Sequence, residues 1–393
     1  MPDAFVDPNP VHFTLFILFG FCFLVQMIFY WGIFFRLGIK AQRHSGTEAQ
    51  RHRGTEAQGH RGTKARGVSV VICAHNEFHH LVNTLPQFLE QDYPKYEVVV
   101  VDHASDDHTG FLLKDLADRY KHLKVVTIQR DLNFFVGKKF PLSIGIKSAR
   151  NEIILLTDAD CRPAGNQWIR LMQEAFTEGK EVILGYGPYE KLNGLLNAII
   201  RFDTVHIAIQ YLSFAMAGIP YMGVGRNLAY KKSLFYEQKG FISHYRISSG
   251  DDDLFINRVA RKNNTGVQTD PSAFTYSEPE IKFGKWITQK RRHLTTASYY
   301  RFWHKFLLGF YGLAQLFFWV LFVLLLSWKF AWVFVLSVLL LKWGCQYVVI
   351  GRCMNKLQEK QLIAWIPMLE WLMILFQTVI TCSNFLVKSH KWK

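Results

Sequence analysis

A mostly parallel α/β domain carried on membrane-spanning helices is the architecture this sequence predicts, on three observations. Long apolar runs lie near both ends, at residues 11–35 and across 306–351; short β-branched runs alternate with helical stretches between them; and the basic excess sits in two segments that abut the apolar runs. Half of the 393 residues are hydrophobic, 33 are Phe, and the mean hydropathy is +0.05, which excludes a disordered tail and an ordinary soluble domain.

From residue 11 to 35 nothing is charged, and 25 residues at about 1.5 Å each cross a hydrocarbon core of roughly 30 Å. Asp3 and Asp7 precede this run and no Lys or Arg does, so a retained span is expected rather than a cleaved signal peptide. Residues 36–67 carry eight basic and two acidic side chains, and the positive-inside rule places them in the cytoplasm with the amino terminus outward. Residues 306–328 and 330–351 read as a tight helical hairpin around Lys329, followed by a cytoplasmic loop with Arg352, Lys356 and Lys360. The fourth run, 362–387, contains Pro367 and Glu370 and ends on Lys388, Lys391 and Lys393, so spanning is favoured over an interfacial helix although the tail argues against it. Two to three membrane helices are therefore expected at this end.

The charge is local. Residues 282–305 hold seven basic and no acidic side chains; with residues 36–67 they account for thirteen of the fifteen net positive charges. Beside apolar runs, that pattern points to anionic lipid or a phosphate-bearing substrate and not to nucleic acid. Six cysteines without regular spacing support neither a disulfide framework nor a zinc site and imply free thiols in a reducing compartment. The linker repeats an octapeptide three times from Ala41 to Lys64, with His44, His52 and His60 in register. Without apolar residues it buries no core, and it reads as a polar spacer with its cations toward headgroups.

Four segments are expected: an anchor at 1–35, the basic linker at 36–67, a catalytic domain at 68–300, and membrane or interfacial helices at 301–393. Within the third, VSVVICA at 68–74 is a β-branched run and a helical stretch follows to Gln91. EVVVVD at 97–102 is a second strand, with a helix around 111–120; KVVTI at 124–128 and EIILLTD at 152–158 are further strands flanking a helix near 138–149. Continuous apolar strands alternating with helices indicate a parallel sheet covered on both faces, whose ligands bind at the strands' carboxyl ends.

Four groups of residues there carry chemistry. Asp102 closes the second strand, as an acceptor for a base or ribose or as part of a turn and helix cap. Asp158 and Asp160 stand two residues apart beyond a buried strand, a costly arrangement that a divalent cation with diphosphate oxygens relieves. Ser249–Phe255 (SGDDDLF) places three carboxylates at a helix start; the helix dipole accounts for one or two, and another is a candidate general base. Gln289–His293 (QKRRH) offers guanidinium groups for a departing diphosphate, or a basic collar against the membrane.

In this order the chain resembles glycosyltransferase family 2, inverting enzymes of the GT-A fold, over most of residues 68–296. VSVVICAHNE resembles the opening strand, VVVVDHASDDHTG the nucleotide-binding aspartate segment, and GKKFPLSIGIKSARNEIILLTDADC the stretch to the metal motif. MGVGRNLAYKKSLF, SGDDDLF and QKRRH resemble the acceptor, catalytic and Q-x-x-R-W segments. The resemblance implies a GT-A, Rossmann-like domain in which Asp102, Lys138, Asp158 and Glu77 bind the nucleotide sugar and Asp160 with Asp158 holds magnesium or manganese. It implies Asp251 as the base, with Asp252 one position away in the alignment, and Gln289, Arg292 and Arg226 on the diphosphate and acceptor side. Gly250 replaces the acidic residue usual before the base, and His293 replaces the tryptophan of polymer-making relatives.

The function these residues imply is transfer of a sugar from a UDP- or GDP-sugar to a lipid-linked or glycan acceptor, by a multi-pass enzyme whose catalytic domain is cytoplasmic. A short-chain polysaccharide synthase and an inactive nucleotide-sugar-binding membrane protein are the alternatives. A transporter needs ionisable groups within several spans, and Glu370 is the one counted toward it.

Overall fold

The computed structural model describes residues 10–39, 65–129, 137–245, 247 and 249–386; the octapeptide repeats and the basic tail lie outside them. The chain forms two compact units. One gathers Met1–Ile39, Lys191–Tyr221 and Pro279–Lys391, the other Lys40–Glu190 and Met222–Glu278.

The second unit is built on a seven-stranded sheet in the order β3-β2-β1-β4-β7-β6-β8. Its strands are β1 (Val68–Ala74), β2 (Tyr96–His103), β3 (Leu123–Ile128), β4 (Ile153–Leu156), β6 (Val182–Leu184), β7 (Leu228–Lys231) and β8 (Thr265–Val267). β1 to β4 pair in parallel, and the VVVV and IILL runs are buried on both faces because helices cover both. Helix Phe78–Leu89 packs Leu81, Leu85 and Phe88 into this core and helix Trp168–Glu174 adds Trp168, Ile169 and Met172. Burial of each such side chain contributes about 1.5–3 kcal/mol. Helix Lys139–Ser148 lies so close to the sheet that a Cβ on Gly145 would stand 2.6 Å from Val71 and 2.9 Å from Val101, so glycine is required there.

Two features have no counterpart in the alternating pattern. β7 runs antiparallel between β4 and β6, with Leu228 opposite Leu156. β5 (Cys161–Pro163) leaves the main sheet and pairs antiparallel with β9 (Thr275–Ser277). Both are three- or four-residue strands, too short for a period to register.

In the first unit four helices are long and apolar enough to cross a membrane: Pro10–Ile39, Phe302–Ser327, Trp332–Lys356 and Lys360–Ser383, one amino-terminal and three carboxyl-terminal. The hairpin between the second and third turns through Trp328–Ala331, with Lys329 and Ala331 both at positive φ. Glu370 is not the sole ionisable group within the spans. Lys342 lies mid-helix on the third and donates to Glu370 at 2.7 Å with both side chains buried, while Tyr30 and Gln315 donate to the other carboxylate oxygen at 3.2 and 3.1 Å. All four helices thus meet in one internally neutralised knot, the arrangement that makes charge tolerable in hydrocarbon. Helix Leu195–Met216 belongs to the same unit and is tied in by two buried ion pairs, Arg201 with Glu359 and Asp203 with Lys290, the latter at 2.6 Å.

Candidate active site

The carboxyl ends of β1, β2 and β4 form one edge of the sheet unit. At the end of β2, Asp102 is in register with Ala74 of β1 and is buried; its Oδ1 accepts from the Ser105 amide at 3.3 Å. The loops after β1 and β2 are laced together. Asn76 donates its amide to Ser105 Oγ at 3.0 Å and accepts from the Asp106 amide at 2.8 Å, Glu77 donates to Thr109 Oγ1, and Phe78 donates to Asp107. Asp107 therefore takes up the free amide at the start of helix Phe78–Leu89, and although burial would raise its pKa, the bonds from Thr109 and Phe78 hold it below the usual carboxylate value. Asn76 and Ala104 adopt left-handed φ values of 58° and 52°, local strain that this lacing maintains.

Beyond β4 the chain turns through Asp158 and Asp160, and Thr84 Oγ1 fixes the turn by donating to the Ala159 carbonyl at 3.1 Å. One ligand atom each of Asp158, Asp160 and Cys161 lies within 4.8 Å of the others. Burial and then the neighbouring Asp158 charge push Asp160 up to about 6, the signature of two crowded carboxylates. Cys161 Sγ is 3.0 Å from Ser277 Oγ and burial raises its pKa, so it stays a neutral thiol. What remains is a pair of hard oxygen donors, which fits magnesium or manganese and not zinc. The antiparallel entry of β7 brings Arg226, two residues before Leu228, to the same place: its guanidinium stacks over Tyr189 at 4.3 Å and acts electrostatically on Asp160 and Asp158. Glu77 also faces Asp160, and His80 bonds to it at 2.6 Å; that bond raises the imidazole to about 9.

Lys138 joins this group to the Asp251–Asp253 turn. Its ammonium ion-pairs with Asp158 and stands 3.9 Å from Asp251 Oδ2. Burial alone would push Lys138 down, but Asp158 and Asp251 outweigh it and hold the group firmly cationic. Asp252 is engaged differently: Oδ2 accepts from the Gly225 amide and Oδ1 from the Asp253 amide, both at 2.7 Å, capping helix Asp253–Val259. Burial, then Asp251 and Asp253, raise it to about 8. Gly250 has a φ of +96°, and a Cβ there would stand 2.5 Å from Leu254 Cδ1, which explains why no acidic residue precedes Asp251.

The structure thus collects Glu77, Asp102, Lys138, Asp158, Asp160, Arg226, Asp251 and Asp252 in the sheet unit. Gln289 and Arg292 are half-buried on helix Phe283–Leu294 of the membrane unit. Their neighbour Lys290 is not part of an exposed collar, since its ammonium is spent on Asp203. Sequence reasoning missed His80, Tyr189 and Lys139; Lys139 stands in the quoted GKKFPLS stretch, but nothing there separates its part from that of Lys138, and His80 and Tyr189 belong to none of the motifs.

Residues 69–237 match the model of the family described as glycosyl transferase family 2. Over those residues the chain carries that family's sequence pattern. Among curated proteins the chain is similar to the probable glycosyltransferase YdaM of Bacillus subtilis, 27% identical over 57% of this chain and 54% of that one. It is likewise 27% identical to glycosyltransferase AglE of Haloferax volcanii, over 47% of this chain and 58% of that protein. It spans little more than half the length of these curated relatives. Among solved structures, the mannosyltransferase PcManGT from Pyrobaculum calidifontis, in complex with GDP-Man and Mn2+, aligns with a TM-score of 0.57 over 89% of this chain and 98% of that one. At 16% identity that likeness shows a shared GT-A fold. The family 2 match ends at residue 237, so the aspartates at 251–253 lie beyond it.

Proposed function

We propose that this family 2 protein is a metal-dependent inverting glycosyltransferase, anchored by its membrane helices, that transfers one sugar from a nucleoside diphosphate sugar to a lipid-linked acceptor at the cytoplasmic face. The observation that carries the proposal is the placement of Lys138 between Asp158 and Asp251, which puts a donor-side carboxylate and a candidate base within reach of one cation. Asp102 and Glu77 contact the nucleotide, and Asp158 with Asp160 holds magnesium or manganese. When bound, the metal neutralises diphosphate charge and favours departure of the nucleoside diphosphate.

Asp251 accepts the proton of the acceptor hydroxyl as its oxygen bonds to the anomeric carbon and the carbon–phosphate oxygen bond breaks. Asp252 is the fallback for this role; each of its oxygens accepts a backbone amide, and these bonds hold the turn that carries Asp251. Arg226 and Lys138 supply fixed positive charge beside the leaving group. A cytoplasmic face follows from the basic residues flanking the spans, and a lipid-linked acceptor from the exposed aromatic residues Tyr299, Phe302 and Trp303 among basic neighbours, a composition suited to headgroups.

The test is nucleoside diphosphate release by the full chain in nanodiscs from a panel of UDP-, GDP- and dTDP-sugars, with and without manganese and a lipid extract. Metal-dependent release from one donor, abolished in Asp251→Asn with donor binding retained, supports the proposal. Retained turnover in Asp251→Asn removes that residue as the base; detectable donor binding without release favours the non-catalytic alternative.

A further inference from the structure

Lys139 is next to Lys138 in sequence but points elsewhere. It is 5% exposed, and its ammonium donates to three main-chain carbonyls, those of His244 at 2.8 Å, Ile247 at 2.6 Å and Ser249 at 2.7 Å. An ammonium has three donors and no acceptor, so its hydrogen-bonding capacity is completely used on one short segment. That segment leads through Gly250 into Asp251, and among its described residues the regular piece is the 3-10 turn Ile242–His244.

We infer that Lys139 is a positioning residue for the transfer reaction: by gathering the carbonyls of residues 244, 247 and 249 it sets the path of the chain that delivers Asp251 to Lys138. The inference rests on the function proposed above. It places consecutive lysines in separate duties, one at the amino-terminal cap of helix Lys139–Ser148 reaching the donor carboxylates, the other anchoring the base-bearing turn to the same helix. Charge-assisted bonds of this kind are about twice as strong as neutral ones, which offsets burial of the ammonium. The titratable groups around Lys139 are Asp251, Asp253 and Asp252, which favour its cation, and His244, whose imidazole faces it and stays neutral. Burial outweighs those carboxylates and brings Lys139 down to about 8. A neutral amine has two N–H donors, so one of the three carbonyls loses its partner as pH rises through that value.

The experiment combines hydrogen exchange with steady-state kinetics on the full chain in nanodiscs, comparing wild type, Lys139→Met and Lys139→Arg. In Lys139→Met, exchange across 244–253 rises roughly 10- to 100-fold with the rest of the sheet unit unchanged, the loss of a few charge-assisted bonds. Turnover falls by a similar factor while the donor KM and donor affinity stay at wild-type values, and Lys139→Arg restores part of the loss. In wild type, exchange of the same segment, corrected for its intrinsic pH dependence, rises above pH about 8, and this arm needs no variant to fold. Unchanged exchange at 244–253 in Lys139→Met overturns the inference, as does a uniform rise across the unit with kcat and KM lost together. If wild type transfers no sugar, the proposed function fails on its own account, while the exchange arms still decide whether Lys139 pins the segment.

Discussion

Placing an acidic residue before Asp251, the proposed base, is expected to harm this protein. Gly250→Asp requires a side chain at a φ of +96°, a strained backbone that costs about 1–3 kcal/mol for a residue with a Cβ. The new Cβ also meets Leu254 Cδ1 at 2.5 Å and Cγ at 2.7 Å, and overpacking against a buried leucine adds about 1–3 kcal/mol. The combined loss of about 2–6 kcal/mol corresponds to a fall in melting temperature of about 4–24 °C for a unit of this size. Because Asp251 is the next residue, relaxation of the turn displaces the proposed base, and turnover is expected to drop before stability fails. Differential scanning fluorimetry and nucleoside diphosphate release measure the two effects on Gly250→Asp beside Gly250→Ala. Equal losses in both variants assign them to the backbone and the shared Cβ contact, and not to the added carboxylate. A Gly250→Asp protein as heat-stable as wild type and turning over as fast refutes the steric reasoning and returns the departure at this position to chance.

Other expectations concern single contacts. Asp252→Ala leaves the Gly225 amide without its partner and uncaps a helix, and should destabilise the sheet unit by about 2–4 kcal/mol in denaturant titration, with Asp252→Asn milder. Asp160→Ala should abolish the manganese-induced rise in melting temperature, while Cys161→Ser, which replaces the thiol that burial keeps neutral, keeps it. His80 is held protonated by Glu77, so its contribution to stability is fully present below the ordinary histidine value near 6.5 and fades as pH rises through about 9; His80→Gln should flatten that part of the stability–pH curve. In the membrane unit, Lys342→Met or Glu370→Gln alone should cost about 3–5 kcal/mol by leaving a buried charge unpaired, and the double variant should recover much of it in a thermodynamic cycle.

The parallel half of the sheet was legible because VSVVICA, EVVVVD and IILL are long enough, and apolar enough on both faces, to declare buried strands. The aspartates were legible because they close those strands. Arg226 is different: its motif is readable, but its place beside Asp160 depends on β7 running backward, and no local pattern encodes strand direction. Tyr189 reaches the same site by tertiary contact, and His80 by a local bond to Glu77 three residues earlier. Lys342 escaped notice as an intramembrane charge because one lysine barely lowers the hydropathy of a 25-residue helix. Helix Leu195–Met216 was hidden for a different reason, since Arg201, Asp203, His206 and Gln210 are spread around it and leave no amphipathic stripe.

The backward strand also bears on how the site comes into being on the ribosome. Asp102, Lys138, Asp158 and Asp160 emerge with the first four strands, a nearly local parallel unit able to form early. Arg226 and the Asp251–Asp253 turn leave the ribosome only after Leu195–Met216 has been made, and β7 must then insert beside a strand completed long before. At about 5–20 residues per second that delay lasts several seconds. Throughout it, the nascent chain exposes an open edge on β4 and a crowded pair of carboxylates with no arginine beside them, so cellular metal bound at this stage would steady the half-built sheet, and truncation before residue 228 leaves an aggregation-prone edge in place of a smaller enzyme.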